Sequence, residues 1–196
     1  HDMDRLEQSL MYFLQTGAAV MFVAGNHEAW LHATELQQGT LHSRDKLAQV
    51  YQTCQELGVY TQTCLKVGGG GATTTLDQSR QRILWIVPLE SWYDGSLSLV
   101  ECQDLCEDFG KWPWVDFLKC TWPGYDSMPF PNERIPQGLA QDFAQLNQPL
   151  LDQLPQWISN DFDDDGDDDD VDGDSRNDVT IMTVSHFLPN QQCLPD

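Results

Sequence analysis

Three short apolar runs constrain the fold of this chain more than any other feature of its sequence. They cover residues 18–24, 82–87 and 179–184. Residues 18–24 are all apolar, which is typical of a strand that is buried on both faces of a sheet, and the other two runs contain only Arg82, Thr180 and Thr183 as polar residues. Because segments with helical periodicity lie between the runs, we predict an α/β fold.

The segments between these runs supply the helices of the predicted fold. Apolar residues recur at helical spacing over 4–16, where Gly17 ends the pattern, and again from Ser43 to Gly58. A capping-box pattern at Ser98 and Glu101 indicates a further helix. We also predict helices over 137–147 and 149–158, a strand over 64–67 and a loop over 68–75. Residues 98–160 are predicted to form a helical and irregular insertion that is rich in Trp and Pro.

An acidic segment near the end of the chain dominates its charge. The 196 residues carry a formal charge of −21, and residues 161–178 alone contain eleven Asp and one Arg. We predict that 161–178 is a solvated, disordered loop. Nucleic-acid-binding proteins show clustered Lys and Arg, so an acidic chain argues against a nucleic-acid partner. The acidic balance also disfavours association with a membrane surface. Since no run of eighteen apolar residues exists, we expect no transmembrane helix.

The acidic segment leaves one alternative open. From Asp161 the sequence matches the opening D-x-D-x-D-G pattern of a calcium-binding loop. Position twelve of that loop is Asp172 rather than Glu, and an Asp-rich run matches such a pattern trivially. A calcium-binding or interaction protein centred on this segment is therefore an alternative hypothesis.

The cysteines indicate the cellular compartment. Six Cys occur, but no two of them form a CxxC pair of the kind found in zinc sites. The chain is long enough to fold around an apolar core without disulfides. The first residues show no signal segment. We therefore predict reduced thiols in a cytoplasmic or organellar protein.

Polar side chains follow two of the three predicted strands. The run 18–24 stops at Gly25 and the run 179–184 stops at Ser185. The residues that come next are Asn26, His27, Glu28 and His186. Because binding sites collect at the carboxyl ends of strands in open α/β sheets, we expect these side chains to form one site.

Each of these residue types suits a metal-assisted proton-transfer site. The Asn26 carbonyl oxygen and the His186 imidazole are possible metal ligands. His27 can exchange a proton near neutral pH, and Glu28 can hydrogen-bond an imidazole and favour its charged form. Gly25 allows a sharp turn and a close approach to a ligand.

Two sequence blocks resemble a known family. Gly25-Asn26-His27-Glu28 resembles the GNH[DE] block of calcineurin-like metallophosphoesterases. Ser185-His186-Phe187-Leu188-Pro189 resembles the later block in which a strand-ending His binds metal, and the two blocks occur in the family's order. Residues 86–93 and 116–123 resemble a plant and algal branch of this family. The fold that the resemblance implies is a four-layer α/β/β/α sandwich with two mixed sheets.

The resemblance also implies a reaction and a role for each site residue. The family hydrolyses phosphate esters with a hydroxide that is activated by two divalent metal ions, here Mn, Fe, Zn or Mg. By position, Asn26 and His186 bind the second metal. His27 stands beside the substrate phosphate as general acid or charge stabiliser, and Glu28 orients His27. The implied substrate is a phosphorylated small molecule or a phosphoprotein.

Other blocks of the family do not occur in these residues. No DxH or GDxxD precedes Gly25, and no GHxH follows His186. We therefore expect residues 1–196 to be a partial domain, the middle portion of a longer enzyme, without the bridging carboxylate and the first metal site. The chain alone should have negligible phosphatase activity and should bind at most one metal weakly. A non-catalytic binding or scaffold protein that keeps the fold is the alternative.

Overall fold

Helices and strands are mixed in the part of the chain that the structure describes, which confirms the predicted α/β class. A computed structural model describes residues 3–39, 41–68, 82–93, 114–125, 138–162 and 178–187. The helix predicted from Ser98 to 110, residues 69–75 of the predicted loop 68–75 and residues 163–177 of the predicted acidic loop 161–178 lie outside the described residues. The ends of the acidic segment are ordered, contrary to the prediction: Asp161 and Phe162 end a helix, Asp161 is buried, and Asp178 begins a strand. The proposed limits of the domain and of its insertion stay predictions.

Four of the described helices follow predicted segments, whereas the short helices Ala33–Gln38 and Asp116–Lys119 were not predicted. In chain order the described helices are α1 (Met3–Leu14), α2 (Ala33–Gln38), α3 (Ser43–Glu56), α4 (Asp116–Lys119), α5 (Leu139–Leu146) and α6 (Gln148–Phe162). A short 3-10 turn over Asn26–Ala29 lies between α1 and α2. None of the helices that the structure describes has the length and apolarity needed to cross a membrane.

Within the residues that the structure describes, three strands form one mixed sheet with β2 in the middle. They are β1 (Leu65–Gly68), β2 (Arg82–Leu89) and β3 (Asp178–Ser185). β1 is antiparallel to β2, with Leu65 opposite Ile86, whereas β3 is parallel to β2, with Leu89 opposite Ser185. The chain therefore leaves β2 and β3 at the same edge of the sheet. Strand β2 continues through Pro88, past its predicted end at Val87.

The predicted buried strand over 18–24 is wrong. Among the described residues, one isolated bridge joins this segment to another part of the chain, between Met21 and Tyr60. Two backbone hydrogen bonds accompany it, from Phe22 N–H to Tyr60 O at 2.8 Å and from Tyr60 N–H to Val20 O at 2.9 Å. An apolar run becomes a strand only where a neighbouring segment pairs with several of its residues through such bonds. Tyr60 provides a single bridge.

The third predicted strand exists, but the prediction that it is buried is wrong. Ile181 is 47% exposed and Met182 is 49% exposed. Among the described residues β3 pairs with β2 alone, so it lies at the edge of the described sheet. Apolar composition favours a strand, but it does not decide which position that strand takes in a sheet.

An aromatic cluster supports the turn that carries Asn26. Ala29 at the end of the turn is fully buried against a group of large side chains. The buried members of this group include Trp92, Trp122, Leu139 and Phe143. Trp92 follows β2, Trp122 follows α4, and both pack against α5 and the turn in this cluster. Burial of their apolar surface therefore holds the turn against the carboxyl ends of β2 and β3.

Candidate metal-binding site

The structure brings together two of the predicted metal ligands. His186 Nε2 lies 3.0 Å from Asn26 Oδ1, although 160 residues separate them in the chain. Asn26 is the first residue of the 3-10 turn, and His186 directly follows the last residue of β3. The predicted meeting of the two sequence blocks is therefore present in the tertiary structure.

Gly25 makes room for this pair. Its φ of −107° and ψ of −171° are extended values, which any residue can adopt. A Cβ atom at this position would lie 2.6 Å from both Cε1 and Nδ1 of His186. The glycine is therefore needed because the imidazole packs against its Cα, and the conformation of the backbone does not require it.

Glu28 stabilises the turn itself. Its Oε2 accepts the backbone N–H of Gly25 at 2.8 Å, three residues back, as in a capping box. This bond satisfies one of the free backbone donors at the start of the turn. The predicted role of Glu28 in orienting His27 stays a prediction, since its measured contact is with the backbone.

His27 lies on the solvent side of the turn. Its exposed ring stacks on the Trp30 indole with a centroid separation of 3.8 Å and an interplanar angle of 29°. The indole in turn donates from Nε1 to Asp116 Oδ1 at 2.6 Å. The imidazole plane is therefore held by an aromatic side chain that is itself anchored in the protein.

Asp116 is a residue of the site that sequence reasoning missed. Its side chain is buried, with a residue exposure of 2%. It accepts hydrogen bonds from Asn26 Nδ2 at 2.9 and 3.0 Å, and from the Trp114 indole at 2.8 Å and the Tyr93 hydroxyl at 3.1 Å. Residues 116–123 carried part of the family resemblance, but no local pattern marks Asp116 as a buried acceptor. The nearest signal is its aromatic neighbours, whose polar groups need a partner when buried.

The Tyr93 hydroxyl remains a donor in this network. Burial raises the pKa of Tyr93 far above its usual value, and the negative charge of Asp116 raises it further. A phenol that keeps its proton donates to the carboxylate at all ordinary pH values. Tyr93 therefore contributes a neutral hydrogen bond to the carboxylate that also contacts Asn26.

Backbone hydrogen bonds hold α4, and with it Asp116, in place. Leu31 N–H donates to Lys119 O at 2.8 Å. On the other side, Thr121 N–H donates to the buried Ser43 hydroxyl at 2.9 Å, and Ser43 N–H donates to Thr121 O at 3.1 Å. These bonds join α4 and the residues after it to α3 and to the segment following the 3-10 turn.

A further carboxylate lies at the same edge of the sheet. Glu90 directly follows β2, and its Oε2 accepts the Tyr51 hydroxyl at 2.5 Å. Burial raises the pKa of Glu90, while the hydrogen bonds from Tyr51 and Gln62 oppose that rise. The side-chain amide of Asn147 holds the backbone of Glu90: its Oδ1 accepts the Glu90 N–H at 2.7 Å, and its Nδ2 donates to Glu90 O at 2.9 Å. These contacts direct Glu90 towards Tyr51 as part of the core beside the site.

The Asn26 and His186 pair suits a divalent cation in its chemistry. An amide oxygen and an imidazole nitrogen are accepted by borderline divalent metals. Asn26 Oδ1 and His186 Nε2 lie 3.0 Å apart, so both would be within reach of one ion. Among the described residues, no group of three or more His, Cys, Asp or Glu side chains is placed to hold a metal. Asn26 and His186 therefore stay two candidate ligands that lie side by side.

Comparison with known proteins does not assign the chain to a family. No match was found among protein-family models, curated proteins or solved structures. The resemblance to metallophosphoesterases therefore depends on two short sequence blocks and on how their side chains meet.

Proposed function

We propose that this chain is part of a metal-dependent phosphoesterase of the calcineurin-like type, in which Asn26 and His186 hold one of two divalent cations. The observation that carries the proposal is the 3.0 Å contact between Asn26 Oδ1 and His186 Nε2. The resemblance assigns these two residues to one metal, and a chance match of two short blocks gives no reason for their side chains to meet.

Each side chain has a distinct task in the proposed site. Bound cations supply Lewis-acid stabilisation of the phosphoryl group and a nucleophile at neutral pH. Asn26 offers its neutral carbonyl oxygen, and His186 offers a ring nitrogen once that nitrogen has released its proton. His27, exposed beside them, donates a proton to the oxygen of the leaving group. Its stacking on Trp30 at 3.8 Å limits the orientations from which it does so.

The four-layer sandwich is the finer fold that we propose for this chain. The described mixed sheet would form part of one of its two sheets, with the site at the edge where β2 and β3 end. The parallel pairing of β2 and β3 supports this arrangement, because the carboxyl ends of parallel strands meet at one edge and collect ligands.

The substrate that we propose is a phosphorylated small molecule or a phosphoprotein. His27 and His186 are both exposed, so a phosphate group carried on a large partner can approach them. The formal charge of −21 disfavours a polyanionic nucleic acid as substrate.

Titration with Mn²⁺, followed by the electron paramagnetic resonance signal of the free ion, tests the metal assignment on the chain itself. Loss of a residue that only orients a metal ligand typically lowers metal affinity by about 10–100-fold. His186→Ala should lower the Mn²⁺ affinity by more than this, because it removes a proposed ligand itself. His27→Ala is the matched control, since it removes an exposed imidazole from the same site and should leave Mn²⁺ binding unchanged.

Catalytic activity is tested in the longer enzyme that the resemblance implies, which would also contain the DxH, GDxxD and GHxH blocks. There His27→Ala should lower turnover of p-nitrophenyl phosphate by about 10²–10⁴-fold, the usual contribution of a general acid, while metal content stays the same. If both histidine variants bind Mn²⁺ and turn over substrate like the unsubstituted protein, the assigned site is wrong. Strong Mn²⁺-dependent turnover by residues 1–196 alone would contradict the expectation that the chain holds an incomplete site.

A further inference from the structure

The buried carboxylate of Asp116 faces several donors at once. Two of them, the indole N–H groups of Trp30 and Trp114, can only donate, and they reach different oxygens of the carboxylate, at 2.6 and 2.8 Å. The Tyr93 hydroxyl donates at 3.1 Å. This set of donors matches an ionised carboxylate, which can only accept hydrogen bonds.

An acceptor on one side of Asn26 determines which group it presents on the other side. Only the amide nitrogen of Asn26 can donate to Asp116, and it lies 2.9 and 3.0 Å from the two carboxylate oxygens. The amide oxygen must then face the opposite way, where His186 Nε2 lies 3.0 Å from it. An amide turned by 180° would present its N–H₂ group to His186 and would repel a cation there.

The same carboxylate also fixes the other half of the site. It anchors the Trp30 indole, on which the His27 ring stacks. Because Asp116 is buried on a helix held by backbone bonds, it is a rigid reference point for both Asn26 and His27.

We propose that Asp116 is a positioning residue that orients the Asn26 amide, so that its oxygen faces His186 and any cation bound there. The cation in this inference rests on the proposed function, but the orientation of the amide does not. One consequence concerns the metal-free protein: since Asn26 presents an acceptor, His186 Nε2 carries the hydrogen of the neutral imidazole.

Nitrogen-15 NMR of the histidine rings reads this hydrogen directly in the metal-free chain. Unsubstituted protein should show the neutral His186 ring with its hydrogen on Nε2. In Asp116→Asn the carboxamide no longer dictates the Asn26 orientation, so the ring should divide between the Nε2–H and Nδ1–H forms. The Mn²⁺ affinity of this variant should fall by about 10–100-fold, the usual effect of losing a partner that orients a ligand.

Tyr93→Phe is the matched control. It removes a hydrogen bond to the same carboxylate but keeps the acceptor for Asn26, so tautomer and Mn²⁺ affinity should stay at the unsubstituted values. The His186 tautomer is a readout that a residue which only supports the fold would not change.

Separate results overturn the inference and the proposed function. An unchanged His186 tautomer in Asp116→Asn, or an equal loss of affinity in Tyr93→Phe, overturns the role of Asp116. If the unsubstituted protein binds no Mn²⁺, the proposed metal site is wrong. The His186 tautomer still decides the role of Asp116 in that case. If Asp116→Asn does not fold, the unsubstituted protein decides: a neutral His186 ring with its hydrogen on Nε2 supports the inference, and one with its hydrogen on Nδ1 contradicts it.

Discussion

Replacing Gly25 with alanine would place a methyl carbon 2.6 Å from two atoms of the His186 ring. An ordinary contact needs at least 3.4 Å, so the ring must move by about 0.8 Å or more. A shift of that size directed away from Asn26 would lengthen their 3.0 Å contact beyond the about 3.6 Å at which a hydrogen bond is lost. Gly25→Ala should therefore separate the two proposed ligands.

The effect on stability should be small, because opposing contributions nearly cancel. Losing one hydrogen bond costs about 0.5–1.5 kcal/mol. The extended backbone at Gly25 accepts alanine without strain, and restricting the unfolded chain contributes about 0.4–1 kcal/mol in return. Since His186 is exposed, its ring can swing into solvent. The free energy of unfolding should change by less than about 1.5 kcal/mol, whereas Mn²⁺ affinity should fall at least about tenfold.

A double-mutant cycle in urea isolates the clash between the methyl group and the ring. In a His186→Ala background there is no imidazole to displace, so Gly25→Ala should raise the free energy of unfolding by about 0.4–1 kcal/mol. In the background that keeps His186, the same substitution should give no such gain. An equal effect in both backgrounds, or unchanged Mn²⁺ affinity in Gly25→Ala, would refute the packing of His186 against Gly25.

Two further predictions concern stability away from the site. Burial raises the pKa of the Cys54 thiol to about 11, which favours the protonated form in the folded state. The protonated Cys54 thiol contributes its full stabilisation below about pH 9, and this contribution is lost as pH rises towards 11. Cys54→Ala should therefore reduce the alkaline loss of stability in urea unfolding by about 2–3 kcal/mol. Burial also raises the pKa of Cys120, to about 12, so part of the alkaline loss should remain in this variant. An identical alkaline loss in Cys54→Ala would contradict this account. Asp161→Ala should lower the free energy of unfolding by about 1–3 kcal/mol, because Asp161 accepts the buried Trp85 indole N–H at 2.7 Å. Lys66→Met, the control for the ion pair with Asp161, should cost less than about 1 kcal/mol since the Lys66 side chain is 39% exposed; a larger loss than in Asp161→Ala would show that the ion pair dominates.

Local patterns were sufficient to predict most of the helices and strands. The apolar spacing over 4–16 and from Ser43 to Gly58 led to α1 and α3, whose apolar faces pack together through Leu6, Leu10 and Val50. Helical periodicity reports which face is buried, and this property is contained in neighbouring residues. The runs 82–87 and 179–184 likewise became β2 and β3.

Burial and pairing of the strands could not be predicted in the same way. Residues 18–24 are as apolar as β2, yet they have one isolated bridge, and β3 is largely exposed at the edge of the described sheet. A strand depends on hydrogen bonds to partners that are distant in sequence, and an apolar run does not specify those partners.

For the candidate site too, some features can be predicted from local sequence and others depend on contacts between distant residues. The sequence by itself determined which residues are candidates: Asn26, His27 and His186 follow apolar runs, in two blocks that resemble those of a known family. That Asn26 and His186 meet is a property of the tertiary structure. Only the tertiary structure decided that Gly25 is needed for the space occupied by His186, and that Asp116 accepts the Asn26 amide. Those contacts join residues about 90 to 160 positions apart, and their energies come from burial and hydrogen-bond direction, which a local pattern does not encode.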